Sequence, residues 1–204
     1  ELNIDSYVVG GFVRDYLLNK EIVKDIDILC IGSGINFAIN VQNSIDSTKK
    51  INIYKRFGTA MLKWKDFTVE FVGARKESYS EDSRKPEVKA GTFLDDMNRR
   101  DFTINTLAIS LNKENYGELI DTFNGIGDLN KGIIKTPTDP DKTFSDDPLR
   151  MLRAVRFSSQ LNYKIERNTF ESIKRNINRI EILSEERISE ELNKILMQDK
   201  PSNG

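Results

Sequence analysis

The sequence predicts an α+β fold, a mixed sheet with flanking helices over residues 1–140 followed by the start of an all-helical domain over residues 141–204. Three observations carry this expectation. Short runs rich in Val, Ile and Thr alternate with helix-spaced runs through the first half of the chain. The pair Gly10-Gly11 punctuates the passage from the first strand-like run to the first helix-like one. From Asp146 onward, helical spacing dominates.

In order along the chain, residues 4–9 read as a strand that the glycines end, and residues 12–18 as the helix opening behind them. Residues 26–31 form a second strand and 35–45 a helix; residues 51–54, 59–64 and 68–72 are three more strands. Residues 76–88 are polar and charged with one proline, and read as a surface loop, plain or functional. Beyond 102–111, the stretch 117–132 is rich in turn residues. Its Asn124-Gly125 and Asp128 suggest connections and a short hairpin. Helices are expected at 148–160, 168–176 and 184–197, and Pro201-Ser202-Asn203-Gly204 reads as a fraying end. On this reading residues 141–204 are a truncated helical domain, and the N-terminus is trimmed, because Glu1 is not an initiator.

Composition excludes several chemistries. The chain has no histidine, and Cys30 is its only cysteine. A Ser-His-Asp triad, a Cys-His pair, a structural zinc site and an internal disulfide are therefore excluded. Catalysis would rest on carboxylates, Lys, Arg, hydroxyls or a carboxylate-bound hard metal. No apolar run approaches the roughly 20 residues that cross a bilayer, and the N-terminal residues lack a signal-peptide pattern. A cytoplasmic location is the default expectation. The formal charge is -1, so a nucleic-acid partner needs a local basic surface.

The strongest single feature is Asp25-Ile26-Asp27. Residues two apart on a strand face the same side, so both carboxylates project together while Ile26 and Ile28 point into the core. Neighbouring aspartates repel, and a pair of Mg²⁺ ions, which prefer carboxylates and phosphate oxygens, would offset that. Alone, this spacing more often marks two solvated aspartates. Upstream, Gly10-Gly11-Phe12-Val13-Arg14-Asp15 places glycines where backbone N–H groups can approach phosphate, with Arg14 on the first turns. An ordinary turn with Arg14 paired to Asp15 is the alternative. Glu70 alternates with apolar neighbours in a strand, and a shared metal site would explain a buried acid.

Arg99-Arg100-Asp101-Phe102-Thr103-Ile104-Asn105 offers donors for phosphate and a donor–acceptor set for ribose hydroxyls; a capped helix start with surface ion pairs is the alternative. In Asp146-Asp147-Pro148-Leu149-Arg150, proline suits a first helical turn and the acid before it an N-cap. Arg150, Arg153 and Arg156 drift about 60° per step and share one broad face, suited to reading a base and a triphosphate or simply solvated. Lys164, Arg167, Lys174 and Arg175 outnumber Glu166 and Glu171, an excess that suits an RNA backbone.

Together these motifs resemble the class II tRNA nucleotidyltransferase and bacterial poly(A) polymerase family, within the polymerase-β-like nucleotidyltransferases. The resemblance runs from Val8 to about Leu196 and covers the head and neck of that family. Gly10-Gly11-x-Val13-Arg14-Asp15 with Asp25-x-Asp27 is similar to its first motif, and Arg99–Asn105 to its ribose-recognising motif. Asp146-Asp147-Pro148-Leu149-Arg150 is similar to its base-reading motif, with Asp146 where glutamate is usual. Glu186-Arg187-Ile188 and Glu191-Leu192 resemble the motif that buttresses the base reader.

The resemblance implies that Asp25 and Asp27 hold two Mg²⁺, with Glu70 as third carboxylate. It implies that Gly10, Gly11, Arg14 and Arg100 contact the nucleotide, and that Asp101 and Asn105 favour ribose. Asp147 and Arg150 would accept CTP and then ATP, with Arg153 and Arg156 supporting them, and residues 76–88 would be tied to the switch from C to A. The expected reaction is CCA addition to the 3′ end of tRNA. Poly(A) polymerisation or A-only or C-only addition is the alternative within the family, and an inactive NTP- or RNA-binding module the alternative outside it. Phe57-Gly58-Thr59 looks more like the CCA enzymes. Oligomeric state is not legible.

Overall fold

The computed structural model describes residues 4–20, 24–80 and 83–198, so Pro201–Gly204 lie outside the described residues. The chain divides into two compact units whose segments interleave. One comprises residues 1–76, 89–97 and 105–122, the other 77–88, 98–104 and 123–204. Residue 140, where the sequence places its boundary, falls within the second unit.

The first unit is built on a seven-stranded sheet ordered β3-β4-β5-β2-β1-β8-β9. Its strands are β1 (Ser6–Val9), β2 (Asp25–Cys30), β3 (Ile51–Tyr54), β4 (Thr59–Trp64), β5 (Phe67–Gly73), β8 (Ala108–Ser110) and β9 (Leu119–Ile120). Helix α1 (Gly11–Leu17) follows β1, and α2 (Gly34–Ile45) connects β2 towards β3. All pairings in this sheet are antiparallel except that of β2 with β5. A parallel pair needs a long crossover, and α2 with the β3–β4 hairpin provides it.

Period-2 alternation assigns the faces. Ile28 and Cys30 of β2, Val69 and Phe71 of β5, and Ala60 and Leu62 of β4 form one core with Phe37 and Ala38 of α2. Phe37 meets Phe71 edge to face at 5.7 Å. Burying this face sets the register, because a one-residue slip would expose every apolar side chain. Ser33 caps α2 by accepting the N–H of Asn36.

The start of α2 approaches the end of β5 so closely that no side chain fits. A Cβ on Gly73 would lie 2.3 Å from the Gly32 carbonyl oxygen, and one on Gly34 would lie 2.8 Å from the backbone of Phe71 and Gly73. Gly73→Ala is therefore expected to destabilise the protein by about 2 kcal/mol, seen as a lower midpoint in urea unfolding without a change in slope.

Residues expected to form a loop are instead strands β6 (Arg75–Ser80) and β7 (Ser83–Ala90), a two-stranded ribbon. Their polar side chains hid the alternation, and Pro86 is tolerated because a two-stranded ribbon has only edges. Helix α3 (Phe93–Asn98) comes next.

The second unit holds α4 (Gly125–Lys131), α5 (Pro140–Asp146), α6 (Leu149–Leu161), α7 (Arg167–Asn176) and α8 (Glu185–Leu196). It is not all helical: β10 (Ile133–Ile134) pairs in parallel with β11 (Lys164–Ile165). Helix α5 lay hidden before the expected helix, although Pro140 in its first turn and Asp139, which accepts the N–H groups of Asp141 and Lys142, mark its start. Within this unit α6 packs on α8 and α5 on α7. Its core includes Phe102, Phe144, Met151, Ala154 and Phe157, with Phe102 and Phe157 edge to face at 5.8 Å.

Candidate active site

In the first unit, the register pairs Asp27 with Glu70 and Asp25 with Thr68. Paired residues of adjacent strands share a face, as do residues two apart on one strand. Asp25, Asp27 and Glu70 therefore stand together on the face opposite the α2 core. Asp25 is exposed, while Asp27 and Glu70 are half-buried. Among the described residues no three acidic or thiol side chains close on a point as a ready-made metal cage. An open set of carboxylates suits a hard divalent cation that completes its shell with water and phosphate oxygens.

Next to this face, β1 ends at Gly10, whose φ of 77° and ψ of -135° require glycine. Gly10 donates its N–H to the Leu107 carbonyl at 3.2 Å and accepts that of Arg14. Arg14 is only 4% exposed. Its Nε and Nη2 donate to the two oxygens of Asp15 at 2.9 and 2.7 Å, and its Nη1 to Asn105 Oδ1 at 2.7 Å. Arg14 makes the pairing with Asp15 that the sequence offered and extends it to Asn105. Gly11 follows as the first residue of a seven-residue helix.

In the second unit, Asp101 is 7% exposed. Its Oδ1 accepts the Phe102 N–H at 2.8 Å, and its Oδ2 accepts Arg153 Nε at 2.8 Å and Nη2 at 2.6 Å. The neighbouring carboxylate raises the pKa of Arg153 further, fixing its charge. Arg150 Nη2 donates to the Arg99 carbonyl at 2.6 Å and Nη1 to that of Thr143 at 3.5 Å. Arg156 Nε donates to Glu191 Oε2 at 2.7 Å, and its guanidinium lies 4.2 Å from the centre of the Phe157 ring. Burial and then the charge of Arg153 lower its pKa, opposed by Glu191. The three arginines expected on one broad face thus serve three different partners, and Arg156 braces α6 against α8.

Asp147 does not cap by preceding the proline alone. It ends α5, and its Oδ1 accepts the Leu149 N–H at 3.2 Å. Asp146 is the last residue of α5 and pairs with Lys142. Arg100 is half-buried. The basic excess expected around α7 is partly neutralised, since Arg175 pairs with Asp141 and Lys174 with Glu171.

Glu77 and Tyr79 belong to the stretch 76–88 that the resemblance ties to the switch from C to A, and their contact with each other and with Arg99 was not foreseen. Glu77 lies 3.6 Å from Arg99 Nη1 and accepts the Tyr79 hydroxyl at 2.6 Å. Burial, and then Glu77, push the phenol well above its usual range; Arg150 and Asp147 lie close enough to bear on it. The i,i+2 spacing of Glu77 and Tyr79 was the available signal.

The chain matches the model of the Poly A polymerase head domain over residues 6–135, and that of the "Probable RNA and SrmB- binding site of polymerase A" over residues 162–204. It is 41% identical over 175 residues to an A-adding tRNA nucleotidyltransferase of Aquifex aeolicus, covering 85% of this chain and 20% of that protein. It is 38% identical over 199 residues to a CCA-adding enzyme of Lactobacillus helveticus, covering 96% of this chain and 47% of that one. A solved CCA-adding enzyme in an apo form superposes with a TM-score of 0.89 at 36% identity, over 99% of this chain and 47% of that one. A tRNA nucleotidyltransferase complexed with a primer tRNA and an incoming ATP analogue superposes with a TM-score of 0.84 at 34% identity, over 99% of this chain and 56% of that one. The chain spans less than half the length of the two sequence relatives. Among the described residues, no helix is long and apolar enough to cross a membrane.

Proposed function

Since the chain belongs to the Poly A polymerase head-domain family, we propose that it carries the catalytic part of a cytoplasmic nucleotidyltransferase that rebuilds CCA at the 3′ end of tRNA from CTP and ATP, without a nucleic-acid template. The observation that carries this reading is the shared face of Asp25, Asp27 and Glu70. In the reaction the terminal 3′-oxygen of the RNA attacks the α-phosphorus of the nucleotide, and pyrophosphate leaves.

The donor set fits Mg²⁺. Asp25 and Asp27 would hold two ions, with Glu70 as a third carboxylate; bound Mg²⁺ supplies neutralisation of the triphosphate and a lower pKa for the attacking hydroxyl. The protein's own groups do the rest. Gly10 and Gly11 leave backbone near the phosphates without a side chain in the way, and Arg100 offers a cation to them. Arg14 acts through its partners, holding Asn105 and the glycine turn. Asp101, held by Arg153, and Asn105 select ribose. Asp147 and Arg150 read the base, and Arg156 with Glu191 keeps the α6 helix that carries Arg150 in place.

Addition of A alone is a second reading, favoured by the 41% identity to an A-adding relative. Incubating the purified protein with Mg²⁺, labelled CTP or ATP, and tRNAs ending before, within or after CCA separates the two. Restoration of CCA followed by arrest is the expected result. Addition of A only after CC would establish the second reading, long A tails would mark a polymerase, and NTP binding without incorporation would sink the catalytic assignment.

A further inference from the structure

The first unit carries a second chemically distinctive surface on the β3–β4 hairpin, at the open edge of its sheet. Between residues 47 and 65 the sequence has six cations, Lys49, Lys50, Lys55, Arg56, Lys63 and Lys65, and no acid. In a chain of formal charge -1 this is a strong local segregation. All six side chains are exposed, and none is within ion-pair distance of a carboxylate among the described residues. An acid bounds the run at each end: Asp46, beside Lys49, has its carboxylate turned onto Thr48, and Asp66 follows Lys65.

Aromatic rings interleave with these charges. Tyr54 is 41% and Phe57 64% exposed. Arg56 lies 5.8 Å from the centre of the Phe57 ring, and Lys49 5.7 Å from that of Trp64. The turn holding Phe57 outward is fixed by its N–H bond to the Tyr54 carbonyl at 3.0 Å and by Gly58 at φ 67°.

Lysines can also guard an edge strand against pairing with another chain. Here they are misplaced for that task. The edge strand itself reads Ile-Asn-Ile-Tyr and has no cation. The charges sit beyond its two ends, Lys55 and Arg56 at the turn, and Lys49, Lys50, Lys63 and Lys65 at the other, about 13 Å apart for four residues at ~3.3 Å each. Two cation clusters flanking a strip with exposed rings match a polyanion that also offers flat faces.

We propose that the β3–β4 hairpin is an RNA-binding surface, on which the cations meet backbone phosphates and Tyr54 and Phe57 receive unpaired bases. This rests on the reading that the substrate is a tRNA, whose 3′ end is single-stranded, and it adds a contact surface in the first unit, outside the segment matched as RNA-binding. Aromatic stacking and phosphate neutralisation together form the usual chemistry of single-strand binding.

The test is the affinity of the protein for tRNA lacking CCA, by fluorescence anisotropy between 50 and 200 mM KCl. Lys55→Glu with Arg56→Glu is expected to weaken binding about tenfold or more and to lessen the slope of log affinity against log salt by about 2. Lys55→Gln with Arg56→Gln should cut the slope the same way without introducing repulsion. Phe57→Ala should weaken binding about tenfold with the slope unchanged, and the KM for ATP at saturating tRNA should hold in every variant. Wild-type affinity and slope in the two charge variants would overturn the proposal. So would self-association of those variants with tRNA affinity intact, which would make the cations edge guards. A wild-type protein that binds no tRNA at 50 mM salt would instead fail the tRNA reading itself, before any variant is compared.

Discussion

Asp27→Ala is expected to reduce Mg²⁺-dependent nucleotide incorporation by about 1,000-fold or more while leaving the fold intact. Asp27 is the acid with carboxylate neighbours on both sides: Asp25 stands two residues away on β2, and Glu70 stands opposite on β5. Removing it breaks the set at its centre. A lost contribution of about 4 kcal/mol to the transition state, within the range for metal-assisted charge stabilisation, corresponds to about three powers of ten in rate. The thermal midpoint should stay near that of the wild type, because Asp27 is a half-buried strand position outside the apolar core. Single-turnover incorporation and the thermal midpoint, measured side by side, check both halves. Retained incorporation would sink the metal assignment, and a lost thermal midpoint would show that the acid serves the fold.

Glu191→Ala should have the largest effect on stability, about 3 kcal/mol. Glu191 is 3% exposed on α8 and accepts from Arg156 on α6 and from Lys194 on its own helix. Without it the Arg156 guanidinium keeps the Phe157 ring and Gln160 but loses its counter-charge. Removing one partner of a buried ion pair leaves an uncompensated charge, which is costlier than removing both. Accordingly Arg156→Met with Glu191→Leu should recover most of the loss. Urea unfolding of the single and double variants measures the coupling; equal losses in both would show that the pair contributes packing rather than charge balance.

The parts of this molecule legible in the sequence are those set by local spacing. Strands β3 and β4 fall where their alternation predicts, and Asp25 with Asp27 was placed on one face by the two-residue period alone. What joined Glu70 to them, the parallel register of β2 and β5, depends on a pairing across a helix and a hairpin, and no local pattern encodes it. Arg14 illustrates the same limit. The sequence offers it Asp15 as a neighbour but does not disclose Asn105, which the fold brings to its other nitrogen. Helix α4 was missed for a different reason, since Asn124-Gly125 has turn chemistry and Asn124 does adopt a left-handed conformation, but as the residue that opens a helix. In the β6–β7 ribbon, the alternation was carried by charged and hydroxylic side chains, which an apolar pattern search passes over.

The strand order also governs how the molecule comes into being on a ribosome. Strands β1 to β5 all emerge before β8, yet β8 is the neighbour of β1 and brings the Leu107 carbonyl to Gly10. Until residues 105–110 have been made, β1 has one unpaired edge, Gly10 lacks the Leu107 carbonyl and Arg14, already bound to Asp15, lacks Asn105. A nascent chain stalled or cleaved between β5 and β8 would therefore display its carboxylates without the turn beside them. Such a chain would present β1 as an unpaired strand edge, the kind of surface that invites pairing with another chain.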